Sequence, residues 1–379
     1  MFETVWLGGQ PPVEKKVIDL GSNKRIKFAT DNRFQRELRS VVEKYFQDPR
    51  KREWDCPQMY AKTALIFGSF ALVYVLLVFA VSTWWQALPL TILLGLIAVA
   101  IGLNVQHDGG HHAYSKHDWI NRLMSMSLDF LGGSSYYWHT KHGILHHTFV
   151  NIPDYDVDTE VGILGRMTPH QKRLPIHKWQ HLYFWILYGL LAINWHFISD
   201  FKAFFTGRVE KVQVPRPKGT DLVIFFGGKL AFFSMAFAIP MMFHPWWAVI
   251  LLYLVAAFVL GLTLSMVFQL AHSVEEAEFA VPNQASGDIE TPWAIHQVKS
   301  TVDFARGDKF LSWLVGGLNF QIEHHLFPKI CHINYPGISN RIKETCRKFG
   351  LSFHEHRTFW SGLLSHYRFL KRMGSLSTA

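Results

Sequence analysis

The chain has 379 residues, of which 49% are hydrophobic, and its formal net charge is +9. This length is sufficient for two soluble domains, but the distribution of charge favours a membrane protein. No Asp, Glu, Lys or Arg occurs in residues 63–106 or 230–274, and each run is about twice the roughly 20 residues that a spanning helix needs. No recognisable nucleic-acid-binding motif accompanies the basic charge, which argues against a nucleic-acid partner.

The N-terminal segment, residues 1–60, precedes the first apolar run. Residues 1–30 contain Pro11-Pro12 and scattered charges, and are expected to form an irregular cytoplasmic arm. Asp31 is a candidate cap for a helix with an apolar stripe, formed by Phe34, Leu38, Val41, Val42, Tyr45 and Phe46. Such a helix lies either on the membrane surface or against the protein's own cytoplasmic cap.

Each apolar run is interrupted near its middle by a tryptophan pair, Trp84-Trp85 or Trp246-Trp247, and tryptophan favours the membrane interface. The runs therefore predict four spans, at residues 62–82, 86–105, 221–243 and 246–270. All Lys and Arg residues lie outside the charge-free runs, which predicts a multi-pass protein with cytoplasmic termini and cytoplasmic segments 106–220 and 271–350. Lys229, near the start of the third span, is expected to extend to the cytoplasmic interface.

Two further segments are apolar but carry charges. Residues 119–135 contain Arg122 and Asp129, and are expected to form an interfacial or re-entrant helix. Residues 181–205 are expected to be interfacial, because a fifth span would move the later motifs to the opposite face. Residues 351–379 are expected to form a cytoplasmic tail. Three cysteines are too few for a disulfide framework, and no cleavable signal peptide is recognisable.

Histidine motifs occur where the predicted spans end. His107 and His111 follow the second span, His272 follows the fourth, and two further clusters occur in the cytoplasmic segments. In a helix, residues four apart share a face, and the predicted topology places every motif on one side of the membrane. The candidate ligands are His107, His111, His142, His146, His147, His272, His324 and His325, with Gln321 one helical turn before His324.

Eight imidazoles are too many for one ion, so two ions with four or five ligands each are expected. The predicted fold is thus an all-α membrane protein, with four transmembrane helices in two hairpins and a cytoplasmic helical cap that holds a histidine-rich di-metal site. Imidazole ligands suit iron, zinc or copper.

Two sequence features lie next to the candidate ligands. Gly109-Gly110 is unfavourable inside a helix, which indicates that another backbone or a substrate approaches closely there. Asp154, Asp156 and Asp158 alternate in an acidic turn, but the spacing lacks the Gly and the distal Glu of a calcium loop. These carboxylates are therefore expected to support the metal ligands or to lie on the surface.

The surroundings of the motifs bear on the reaction. Aromatic residues beside the bilayer suit an acyl chain, and Trp138 and Phe149 are the predicted substrate contacts. Oxidising an unactivated C–H bond needs oxygen and a redox metal, which favours iron. Zinc would instead suit a membrane hydrolase. A metal transporter would carry histidines along a path through the spans, whereas only His244 lies at the far turn.

The motifs His-Asp-Gly-Gly-His, His-Gly-Ile-Leu-His-His and Gln-Ile-Glu-His-His-Leu-Phe-Pro resemble the three boxes of membrane fatty acid desaturases. Gln321 in place of the first histidine of the third box resembles the front-end subgroup. Residues 269–279 and 316–320 are also similar to this family. The resemblance extends from about residue 60 to about residue 350, and residues 61–350 are expected to form the desaturase domain.

The resemblance implies two non-haem iron ions held by the eight histidines, with Gln321 as a ligand directly or through water. It implies molecular oxygen as co-substrate and insertion of a cis double bond on the carboxyl side of an existing one. The substrate would be a fatty acyl-CoA or an acyl-lipid. Because no His-Pro-Gly-Gly haem motif occurs, electrons are expected from a separate ferredoxin or cytochrome b5 with its reductase. A fatty acyl hydroxylase on the same scaffold is the alternative.

Three histidines beside the boxes, His112, His139 and His332, are expected to support the ligands or the structure. His332, Asn334 and Tyr335 are also candidates for contact with a substrate headgroup.

Overall fold

The computed structural model describes residues 26–159, 161–283 and 285–376, so most of the expected N-terminal arm lies outside the described residues. Four helices are long and apolar enough to cross a membrane, which confirms the predicted fold class. Their bounds are Pro57–Ala80, Trp84–Gly110, Thr220–Met241 and Trp246–His272; we call them spans 1 to 4. The first three contain π-helical segments, at Leu76–Ala80, Ile101–Gln106 and Ser234–Ala238. Spans 2 and 4 extend farther towards the histidine motifs than predicted.

Spans 2 and 4 pack side by side and run in the same direction. Gly95 faces Ala256, and a Cβ atom added at Gly95 would lie only 2.9 Å from the Ala256 carbonyl oxygen. Two turns farther along, Gly102 faces Leu264. Because the two helices advance in register, they bring His107 and His272 to the same end of the bundle.

Short helices surround this end of the spans. The α-helices of at least six residues are Arg33–Phe46, Asp118–Ser125, Gln180–Gly189, Asp200–Thr206, Trp293–Ser300, Lys309–Leu314, Gln321–Leu326, Tyr335–Lys348 and Phe359–Ser375. Shorter α-helices are Ser127–Phe130, Ser135–Trp138, His147–Phe149 and Leu191–Asn194, and π-helical segments lie at His139–His146 and Trp195–Ser199. The 3₁₀ segments are Val157–Thr159, Gly162–Leu164, Pro175–Trp179 and His332–Asn334.

The described strands form three two-stranded ladders. Phe28–Ala29 pairs in parallel with Ile289–Pro292, and Asp303–Phe304 pairs in parallel with Glu355–His356. Arg208–Val209 and Val212–Gln213 form an antiparallel hairpin. The first two ladders join segments that are distant in sequence and so tie the cap together.

The amphipathic helix near the N-terminus packs against the protein's own cap. Phe34, Leu38 and Val42 are buried in a cluster that includes Ile338 and Ile342 of the helix Tyr335–Lys348. The sequence left open whether this helix lies on the membrane surface or against the cap. The structure shows that it packs against the cap. The helix begins at Arg33, so Asn32 and not Asp31 holds the N-cap position. The Asp31 carboxylate nevertheless accepts from the Arg33 backbone nitrogen at 3.0 Å and from the Arg33 guanidinium group at 2.7 Å.

Lys229 lies inside the protein, so its predicted extension to the interface is wrong. Its side chain is buried, and the ammonium group lies 2.8 Å from Asp200 Oδ2. The carboxylate belongs to the apolar segment between spans 2 and 3, which folds against span 3. A buried partner of opposite charge removes the need for the ammonium group to reach water.

That segment consists of Pro175–Gly189 and Leu191–Thr206, which meet at a bend of 54°. Together the two pieces are long and apolar enough for a broken span or a re-entrant loop. Their expected interfacial position stays a prediction.

The expected C-terminal tail contains the helix Phe359–Ser375. Buried Arg166 donates hydrogen bonds to the carbonyl oxygens of Met373 (2.5 Å) and Leu376 (2.8 Å), at the end of this helix. These contacts satisfy carbonyl groups that a helix terminus leaves without intrahelical partners. The helix is therefore fastened to the cap.

Candidate metal centre

Four structural elements bring the predicted ligands together. Span 2 and its end supply His107 and His111, and span 4 ends at His272. The π-helical segment His139–His146 and the residue after it supply three histidines, and the helix Gln321–Leu326 supplies two more. All eight side chains are buried: His107, His111, His142, His146, His147, His272, His324 and His325.

The histidines form two groups in which the candidate ligand atoms lie within 4.8 Å of one another. The first group is His107, His111, His142 and His324, and the second is His146, His272 and His325. His147 lies between them: its ring centroid is 4.5 Å from that of His111 and 4.4 Å from that of His325. This arrangement matches the expected division between two ions, with His147 within reach of both.

The nitrogen atoms of these rings have the hydrogen-bonding state that a metal site requires. The Nε2 atoms of five histidines, and both ring nitrogens of His147, are buried without a hydrogen-bond partner. The five are His111, His146, His272, His324 and His325. Buried polar atoms are normally paired, and converging unpaired imidazole nitrogens are the donor set that iron, zinc or copper binds. The residues therefore fit two such metal ions.

The protonation state of the rings points the same way. Burial, reinforced by the neighbouring histidines, lowers the pKa of His111, His147, His324 and His325 well below the usual range. These imidazoles are consequently neutral at physiological pH. A neutral imidazole keeps the lone pair that binds a metal ion.

Hydrogen bonds to the Nδ1 atoms fix the orientation of several rings. His325 Nδ1 lies 2.9 Å from Gln297 Oε1, and His324 Nδ1 lies 3.1 Å from the Tyr335 hydroxyl group. His272 Nδ1 is 3.4 Å from the Ser300 carbonyl oxygen. Such outer contacts select the tautomer and direct the opposite nitrogen to the metal. Gln297 and Tyr335 were not predicted as orienting residues, since no spacing in the sequence links them to a histidine.

The acidic turn contributes one of these contacts. Asp156 is buried and its Oδ1 lies 3.1 Å from His146 Nδ1. Burial opposes protonation of His146, but the Asp156 carboxylate outweighs it and raises the pKa of the ring. Asp154, in contrast, is at the surface and pairs with Lys211. Asp156 thus supports a candidate metal ligand and Asp154 lies on the surface, so the two roles expected for this turn belong to different residues.

Gln321 lies on the same helix as His324 and His325 and is buried. Neither polar atom of its side chain has a hydrogen-bond partner. An amide left unpaired in a buried site is consistent with a ligand or with a contact to bound water. Its role as a ligand stays a prediction.

The close approach predicted at Gly109-Gly110 is present. A Cβ atom at Gly109 would lie 2.7 Å from the Ser125 backbone nitrogen, and one at Gly110 would overlap the Trp138 ring. The two glycines therefore allow the short helix Asp118–Ser125 and Trp138 to pack directly against the end of span 2, beside the ligands.

The additional histidines have separate partners. His112 lies 3.3 Å from Asp118, and His139 is exposed. His332 is buried between Asp108, 2.8 Å from its Nδ1, and Lys62, 3.1 Å from its Nε2. Both nitrogens of His332 are thus occupied, although Asp108, Cys331 and His332 also have the spacing of a metal-binding group.

The expected headgroup contact at residues 332–335 is wrong. His332, Asn334 and Tyr335 are all buried, at 3%, 5% and 1% exposure. Their polar groups bind other parts of the cap: the Asn334 amide, for example, donates to the Arg52 carbonyl oxygen at 2.8 Å. These residues serve the interior of the cap because span 1 and the N-terminal segment cover them.

A narrow, mainly apolar cavity begins at the first histidine group and runs between spans 2 and 4. Its lining includes His107 and Trp138 near the site, and Ala98 and Leu260 at the other end. From His107 to Ala98 the helix advances by about 14 Å, and from Phe268 to Leu260 by about 12 Å. The open volume of the cavity is only about 30 Å³, so it is a narrow apolar gap beside the site, with room for about two water molecules.

Of the two predicted substrate contacts, Trp138 lines this cavity and packs against the His107, His111 and His142 rings. Phe149 is not among the lining residues and packs in a separate cluster with Ile152. The spacing of the histidine boxes gave no sign of which nearby aromatic residue faces the cavity.

The fold and the site define a class: an integral membrane protein whose buried histidine clusters fit two metal ions. The chain belongs to the fatty acid desaturase family, since residues 82–357 match the family's sequence profile. The resemblance to front-end desaturases is also confirmed by its relatives.

Three similar proteins illustrate the relationship. An sn-1 linoleoyl-lipid 6-desaturase of Arthrospira platensis is 36% identical over 92% of this chain and 95% of its own. A protein of the same name from Synechocystis is 35% identical over 93% of this chain and 99% of its own. An acyl-lipid (8-3)-desaturase of Physcomitrium patens is 35% identical over 91% of this chain and 72% of its own.

Proposed function

We propose that this protein is an oxygen-dependent di-iron acyl-lipid desaturase of the front-end type. It inserts a cis double bond on the carboxyl side of an existing one. The observation that carries the proposal is the convergence of buried, unpaired histidine nitrogens beside an apolar gap that His107 and Trp138 line. The names of the relatives, which include linoleoyl-lipid 6-desaturases, support a glycerolipid carrier over coenzyme A.

The reaction removes two hydrogen atoms from neighbouring carbons. With two electrons and two protons, one O₂ molecule accepts these hydrogens and leaves as two water molecules. When bound, two iron ions would supply the redox chemistry that activates oxygen. All eight histidines, with Gln321 as a further ligand directly or through water, are the proposed residues that hold them.

The chain's own residues contribute binding, orientation and exclusion of water. The parallel walls of spans 2 and 4 hold the acyl chain along the cavity axis, so that one pair of carbons lies beside the site. Trp138 covers the cavity next to His107 and keeps water from the reacting carbons. Tyr335, Gln297 and Asp156 keep the ligating rings in fixed tautomers.

Topology and partners complete the proposal. The basic residues outside the spans support placing both termini and the metal centre in the cytoplasm. Residues 61–350 form the proposed desaturase domain, flanked by the N-terminal segment 1–60 and the C-terminal segment 351–379. A separate ferredoxin or cytochrome b5, with its reductase, supplies the two electrons.

The test is the fatty-acid profile of a host that is fed linoleate and expresses this chain together with a ferredoxin system. A new double bond on the carboxyl side, absent from a His146→Ala variant, is the expected result. A hydroxylated product would move the protein to the hydroxylases. Metal analysis of the purified protein is the second readout: zinc in place of iron would favour a hydrolase and contradict the proposal.

A further inference from the structure

The end of span 4 is bound by two segments that are distant in sequence. The last carbonyl groups of a helix have no intrahelical partner, and span 4 ends at His272. The His272 carbonyl oxygen accepts from the side chain of Asn151 at 2.9 Å. The next carbonyl oxygen, that of Ser273, lies 2.6 Å from Nδ1 of His366 in the C-terminal helix. The end of span 4 is therefore held at a fixed position.

The Asn151 side chain binds three backbone carbonyl groups at once. Its Nδ2 atom donates to the carbonyl oxygens of His272 at 2.9 Å, Ser300 at 3.2 Å and Glu278 at 3.4 Å. Asn151 is fully buried, and its NH₂ group has two hydrogens, so one hydrogen is shared between two acceptors. Three acceptors on one side fix the orientation of the amide, because its oxygen atom would repel them.

Two of these contacts concern the same candidate ligand. Asn151 binds the backbone of His272 directly, and it also binds the Ser300 carbonyl oxygen, which lies 3.4 Å from His272 Nδ1. A carbonyl oxygen has two lone pairs, so it accepts from both groups. The opposite ring nitrogen, His272 Nε2, is buried without a hydrogen-bond partner. Asn151 thus fixes the backbone that carries the ring and the acceptor that orients the ring.

The backbone of Asn151 is connected to a second candidate ligand. Its nitrogen donates to Asp156 Oδ2 at 2.8 Å, and the Asp156 carboxylate contacts His146 Nδ1. His146 and His272 belong to the second histidine group, and their ring centroids are 4.7 Å apart. Asn151 therefore connects the segments that carry two of the three histidines in this group.

The backbone conformation at this position favours asparagine. Asn151 has a φ of +55°, in the left-handed region that asparagine, aspartate and glycine adopt more readily than other residues. Variants with glycine or aspartate keep this conformation and the backbone N–H group. They therefore change the amide alone.

We propose that Asn151 is a positioning residue for the ion at the second histidine group: its amide sets the position and the tautomer of His272. Without the amide, the end of span 4 and the Ser300 carbonyl oxygen are no longer held together. The His272 ring then loses its fixed direction, whereas the first histidine group keeps its own contacts. This inference rests on the proposed function, in which His272 is a metal ligand.

Two variants test the role of the amide. Asn151→Gly removes it, and Asn151→Asp keeps its volume but offers the three carbonyl groups no hydrogen when ionised. Loss of an outer hydrogen-bonding partner weakens metal binding by about 10- to 100-fold. Each variant should therefore lose one iron ion per chain at a chelator concentration about 10- to 100-fold below that needed for the wild type, and keep the other ion.

Asn334→Asp is the matched control, because Asn334 is also buried and its amide also donates to backbone carbonyl groups. Its acceptors are the carbonyl oxygens of Arg52 at 2.8 Å and Cys331 at 3.3 Å, neither of which is a candidate ligand. The substitution should lower the unfolding temperature but leave both ions bound. Iron content and unfolding temperature are measured on the same samples, which distinguishes weaker metal binding from a general loss of stability.

Two results would overturn the proposal. In the first, the Asn151 variants keep both ions up to the chelator concentration that strips the wild type. In the second, they lose both ions together, as a general collapse of the cap would produce. If one variant does not fold, the other decides by the same criteria. Failure of the proposed function has a different result, because the wild-type protein itself would then contain no iron and form no desaturated product.

Discussion

Asp156→Asn should weaken metal binding at the second histidine group, because it changes the hydrogen bond that fixes His146. The Asp156 carboxylate is buried and also accepts from the backbone nitrogens of Asn151 (2.8 Å) and Asp158 (3.0 Å). The two bonds engage different oxygens, and His146 Nδ1 lies 3.1 and 3.2 Å from these same two oxygens. An asparagine keeps one oxygen, so its NH₂ group opposes one backbone N–H group and the negative charge that holds His146 Nδ1–H is lost.

The expected cost follows from the loss of this orienting contact. Removing such an outer partner lowers metal affinity by about 10- to 100-fold, which corresponds to about 1.4–2.7 kcal/mol. Metal content after graded exposure to a chelator measures the effect, and iron should fall from two ions towards one per chain. Asp154→Asn is the control, because Asp154 lies in the same turn but pairs with exposed Lys211. Equal metal retention in both variants would refute the reasoning.

Three further predictions concern packing and orientation. Gly109→Ala should destabilise the protein by about 1–3 kcal/mol, since its Cβ atom meets a backbone nitrogen at 2.7 Å; a lower unfolding temperature is expected, whereas Gly227→Ala, with nothing within 4 Å, should not lower it. Tyr335→Phe removes the bond to His324 and should reduce metal retention up to about tenfold; wild-type retention would show that the hydroxyl group has no orienting role. Arg166→Met should cost about 3 kcal/mol and expose the C-terminal helix to protease; unchanged cleavage would contradict its anchoring role.

Local patterns in the sequence were sufficient for much of the architecture. Charge-free runs broken by tryptophan pairs predicted the spans, since a lipid environment demands long apolar helices. Histidines spaced four apart predicted shared faces, and Gly109-Gly110 predicted a close approach. Each of these inferences depends only on one segment and on whether lipid or water surrounds it. The local sequence is therefore sufficient to predict these features.

Contacts between residues that are distant in sequence were not predictable in this way. Lys229 was expected to extend to the interface because it lies near the start of a span, yet Asp200 reaches it once the bent segment packs on span 3. His332 was expected to support the ligands or the structure and was also a candidate for headgroup contact; Asp108 and Lys62 occupy both of its nitrogens, which fits only the first. A buried charge or ring is stabilised by whichever group the fold brings near, and sequence spacing does not encode that choice.

The sequence by itself determined the class of helices, the candidate histidine ligands and the expectation of two ions. Only the tertiary structure decided how the ligands divide, with His147 between the two groups, and which residues orient them. It alone showed the cavity, since an empty volume exists only where several chain segments pack around it. The residue types that can bind a metal are set by the sequence, whereas the shape of a cavity depends on how the folded chain packs.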